Sequence, residues 1–75
     1  MNNFRRKQLQ QAMQLLEEAN DIINDVMDEE DMSFNNLSDG LQQTMRGETM
    51  ENNIDEMNDA ISSICDAISS LDNIE

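Results

Sequence analysis

Apolar residues recur along this chain at alternating steps of three and four in two long stretches, separated by a short break. In the first stretch the seam reads Leu9, Ala12, Leu16, Ala19, Ile23 and Val26. In the second it reads Met50, Ile54, Met57, Ile61, Ile64, Ile68 and Leu71. That spacing keeps one stripe of a helix turned toward a neighbour, so the pattern predicts helices over residues 3–31 and 48–74. The fold class expected is all-α: one helical-hairpin domain spanning 1–75, which dimerises into a four-helix bundle or coiled-coil-like assembly. Asn2 or Asn3 is expected to cap the first helix and Thr49 the second.

The boundaries follow from local chemistry. Asp28, Glu29, Glu30 and Asp31 crowd four carboxylates where the helix dipole is negative, which predicts a stop there. Between 32 and 47, Phe34, Leu37, Leu41 and Met45 recur at steps of three, four and four, the pattern of a short helical elbow. In it Ser38 serves as an N-cap, Gly47 takes a left-handed terminating position, and the apolar residues close the open end of the hairpin with Phe34 as the plug. A near-exact heptad repeat, residues 59–65 and 66–72, sets Ala60 and Ala67 beside the second seam. Met13, Leu15, Ile22 and Met27 widen the first helix's apolar face beyond what one partner helix covers. The expected oligomer core is therefore Leu9, Leu16, Ile23, Ile54, Ile61, Ile64, Ile68 and Leu71, shared between chains.

Composition narrows the chemistry. The chain has 75 residues, no Pro, Trp, Tyr or His, and a formal charge of −13. Such a charge repels phosphate backbones and anionic lipid, so direct nucleic-acid and membrane binding are not expected. No apolar run approaches the roughly 20 residues that span a bilayer. A single cysteine, Cys65, and the absence of a signal-peptide pattern point to the cytoplasm, the host cell's if the gene is phage-borne.

Without imidazole the commonest acid–base group is missing, and no enzyme is expected. The run at 28–31 lacks the alternating ligands and central Gly of a calcium loop. Glu17, Asp21 and Asp25 share a helical step of four but have no Glu-x-x-His partner for a di-iron site. No metal, cofactor or catalytic residue is assigned. Cys65 lies between Ile64 and Asp66, surroundings that disfavour a thiolate.

Two surfaces are left as candidates. Glu17, Asp21, Glu56 and Asp59 form an acidic surface for a partner protein with a basic site. Arg5, Arg6, Lys7 and Arg46 are the only cations. Brought together by an antiparallel second chain, they would make an anion pocket for a nucleotide ligand.

With Arg5-Arg6-Lys7 opening the first helix, Phe34-Asn-Asn-Leu37 and Gly40-Leu41-Gln42 in the elbow, and Arg46-Gly47-Glu48 before an acidic heptad helix, the chain resembles a group of short acidic helical-hairpin proteins carried by bacterial phages and prophages. Ser38 departs from that group's pattern, which has Pro there. The group has no settled function, so the resemblance implies a mobile-element setting and no mechanism. In that setting small non-enzymatic proteins act by stoichiometric binding, as acidic inhibitors that imitate DNA or as oligomers that sequester a nucleotide signal. The function expected is phage-type inhibition or counter-defence by docking on a basic protein site. The alternatives are a nucleotide sponge and a structural scaffold.

Overall fold

The computed structural model describes residues 1–75 and contains three helices: α1 (Asn3–Asn35), α2 (Asp39–Gln42) and α3 (Met45–Asp72). α1 and α3 lie side by side in opposite directions. Leu9, Met13 and Leu71 line one cavity at the open end, and Phe34 and Ile54 line another toward the elbow. The hairpin measures 58 × 15 × 12 Å, with a radius of gyration of 17.2 Å. A compact domain of this length would have a radius of about 11 Å. This is a two-helix rod.

α3 presents the expected seam, extended one step toward its start. Gly47 and Met50 are buried, and Ile54, Met57, Ile61, Ile64, Ile68 and Leu71 are half-buried. α1 differs by a small rotation. Its half-buried series is Leu9, Met13, Leu16, Asn20, Ile23, Met27, Glu30 and Phe34, an unbroken alternation of fours and threes. Ala12 and Ala19 flank that line, and Val26 is exposed. The residues expected to form an oligomer core are therefore already paired between α1 and α3 within one chain.

Asn20 occupies a seam position between Leu16 and Ile23, and its Oδ1 is shielded from water with no hydrogen-bond partner. A buried polar atom left unpaired costs about 1–3 kcal/mol, so Asn20 lowers the stability of the hairpin's middle. Its backbone carbonyl accepts from Asn24 Nδ2 at 2.9 Å.

The expected stop at Asp28–Asp31 does not occur; α1 continues to Asn35. With the helix ending at Asn35, the four carboxylates lie before its last turn, where the dipole acts most strongly. Phe34 and Leu37, both half-buried, carry the seam past the acidic run. Phe34 thus belongs to α1, not to the elbow.

Three capping expectations can be compared with the structure. Asn2 Oδ1 accepts from the Arg5 amide at 2.8 Å, and Ser38 Oγ accepts from Leu41 at 3.4 Å. Thr49 is not a cap: α3 starts at Met45 after Thr44, and the Thr49 hydroxyl donates back to the Met45 carbonyl at 2.9 Å. Gly47 ends no helix. It lies in the first turn of α3, and no glycine has positive φ. Its role is steric, because a Cβ there would sit 2.6 Å from the Gln42 carbonyl carbon.

Candidate functional site

The heptad register divides the hairpin into two unlike broad faces. Successive residues turn by about 100° around a helix, so the positions one residue after each seam position form a second stripe on each helix. Because α1 and α3 are antiparallel, the two "after" stripes lie on the same side of the rod. On α1 that stripe is Gln10, Gln14, Glu17, Asp21, Asn24, Asp28 and Asp31. On α3 it is Glu48, Glu51, Asp55, Asn58, Ser62, Cys65, Ser69 and Asp72. This face contains no large aliphatic side chain. Its carboxylates are densest toward the elbow, where Asp31, Glu51 and Asp55 rim a cavity above Phe34 and Ile54. They stand in rows along the helices and do not converge on a point that would hold an ion.

Of the four acidic residues expected to form one surface, the structure brings together Glu17 and Asp21. Glu56 precedes the seam residue Met57 and so lies on the opposite broad face. Asp59, midway between Met57 and Ile61, points away from α1 along the back of α3. The sequence reading missed Asp28, Asp31, Glu48, Glu51 and Asp55 as members of the same surface. For Glu48, Glu51 and Asp55 the available signal was their offset of one residue from the α3 seam; Asp28 and Asp31 lie on α1, whose two apolar stripes hide that offset.

The cations are not brought together within one chain. Arg5, Arg6 and Lys7 sit in the opening turns of α1, while Arg46 opens α3 at the elbow, the length of the hairpin away. Arg6 folds over the open end, where its guanidinium donates to Met1 O at 3.3 Å and Glu75 O at 3.1 Å. It lines a cavity of about 160 Å³ with Leu9, Met13 and Leu71.

The elbow holds the rod in register. Gln42 Nε2 donates to Phe34 O at 3.3 Å and Leu37 O at 3.1 Å, adding to the bond that Phe34 O already accepts from the Leu37 amide. The sequence placed Gln42 in a short helical elbow, and no spacing in it pointed to these two carbonyls.

No helix is long and apolar enough to cross a membrane. No family model, curated protein or solved structure matches the chain.

Proposed function

We propose that the chain is a non-enzymatic, homo-oligomeric binding protein that docks its acidic broad face on a basic site of another protein. The observation that carries this reading is the segregation of charge: carboxylates fill one side of a rigid rod and leave the other side largely uncharged. A solubilising surface has no need of such a partition, whereas a field directed from one side steers a positively charged partner and selects its orientation. The phage-like character of the sequence makes inhibition or counter-defence the specific form of the proposal. The dimeric four-helix bundle is the proposed working unit. A nucleotide sponge has less support, because within one chain Arg46 stands far from Arg5, Arg6 and Lys7 and only a second chain could bring them together.

The test is capture of partners from the native host with the unmodified protein and with a Glu17→Lys, Asp21→Lys, Glu51→Lys, Asp55→Lys variant. A partner retained at low salt, released at high salt and lost with the variant is the expected result. A partner indifferent to these reversals but lost with Arg46→Ala overturns the reading.

A further inference from the structure

The opposite broad face is made of the positions one residue before each seam position. On α1 these are Gln8, Ala12, Leu15, Ala19, Ile22, Val26 and Glu29, themselves a complete four–three alternation. α1 thus carries two seams, about 100° apart, only one of which meets α3. In the second seam Leu15, Ile22 and Val26 are 58%, 63% and 47% exposed. On α3 the corresponding stripe begins with Arg46 and Glu56 near the elbow and continues as Ala60, Ser63, Ala67 and Ser70, these last four running beside Leu15 to Ile22 in the antiparallel register.

We infer that this face is the docking surface for a second copy of the chain. Two hairpins pack face to face about a two-fold axis perpendicular to their length, so that α1 lies antiparallel on the partner's α1 and α3 on the partner's α3. The inference rests on the oligomeric part of the proposed function and gives it a particular interface.

Three observations select this occupant and this orientation. The chain exposes 5769 Å² at 8.6 kDa, about 1,000 Å² more than a compact monomer of that mass, and a standard interface takes about 800 Å² from each partner. The central stretch of this face, Ala12 to Val26 with Ala60 to Ser70, contains no charged residue. It is the place where two chains of −13 can meet without opposing carboxylates. The ends of the face carry opposite net signs: Arg5 stands at the open end, and Glu29 with Glu56 outnumber Arg46 toward the elbow. An antiparallel pairing sets each Arg5 toward the partner's acidic end, whereas a parallel pairing sets like charges together. Small residues on α3 then permit close approach of the two α3 helices near Ser63, and the acidic faces point outward on both sides of the bundle.

Light scattering, thiol chemistry and circular dichroism test the assignment together. The unmodified protein is expected at twice 8.6 kDa at micromolar concentration, and the Leu15→Lys, Ile22→Lys variant at the monomer mass with its helical spectrum retained. In a Cys65→Ser background, Ser63→Cys is expected to form an interchain disulfide under mild oxidation. Cys65 of the unmodified dimer should react with a thiol reagent as fast as in the unfolded chain. An unmodified protein that is monomeric overturns both the interface and the oligomeric reading. A dimer that persists in the lysine variant, or one that protects Cys65 while the Ser63→Cys variant stays uncrosslinked, overturns the interface and leaves the oligomeric reading standing. If the lysine variant fails to fold, the disulfide result decides alone.

Discussion

Gly47 lies against the backbone of Gln42 so closely that a methyl group on its α-carbon would stand 2.8 Å from the Gln42 α-carbon. α2 and the first turn of α3 can meet at this distance only without a side chain between them. Gln42 in turn ties the elbow to the end of α1 through Phe34 O and Leu37 O. Glycine inside a helix costs about 1 kcal/mol relative to alanine, which this approach offsets.

The two glycines should therefore respond oppositely to alanine. Gly47→Ala forces backbone to shift and is expected to lower unfolding stability by about 1–3 kcal/mol. Gly40→Ala meets nothing within 4 Å and should raise it by up to about 1 kcal/mol, because the unfolded chain loses freedom and the helix gains propensity. Urea denaturation of the two variants measures both signs.

Removing the unpaired Asn20 oxygen from the seam should stabilise the rod. Asn20→Leu joins Leu16 and Ile23 with an apolar neighbour and is expected to add about 1–3 kcal/mol. A polar residue at a core heptad position also specifies register and oligomer size. The same variant should broaden the mass distribution seen by light scattering.

Adjacent leucines separate the two seams. Leu16 faces α3, so Leu16→Ala should destabilise the folded chain by about 1–2 kcal/mol, less than a fully buried leucine would. Leu15→Ala leaves that contact intact and should act chiefly on self-association. Melting curves recorded across a dilution series distinguish the two: the Leu16→Ala deficit persists at high dilution, and the Leu15→Ala deficit vanishes there.

Charge of −13 on an 8.6 kDa rod opposes folding by self-repulsion. Raising the ionic strength from about 0.01 to 0.15 M shortens the screening length from about 30 to 8 Å. The melting temperature at pH 7 is expected to climb over that range, and a flat or falling curve would contradict the argument.

Periodicity alone determined that the chain is helical, that two long helices are joined by an elbow, and which side of α3 is apolar. α3 has one apolar stripe, so its register could be read directly from Met50 to Leu71. α1 has two, one residue apart. Reading a single line through Leu9, Ala12, Leu16, Ala19, Ile23 and Val26 followed the midline between them. Only the packing of α3 decided that Met13, Asn20 and Met27 face inward while Leu15, Ile22 and Val26 remain outside. The end of α1 was likewise a tertiary matter: local electrostatics favoured a stop at Asp28–Asp31, but Phe34 and Leu37, half-buried beyond that run, carry the helix to Asn35. The same holds for Gly47, whose sequence context suggested a terminator. A close approach between segments is not encoded in local propensity, and neither is the side of the rod to which each carboxylate of α1 belongs. Both depend on how two helices are rotated about their axes, which only their mutual packing sets.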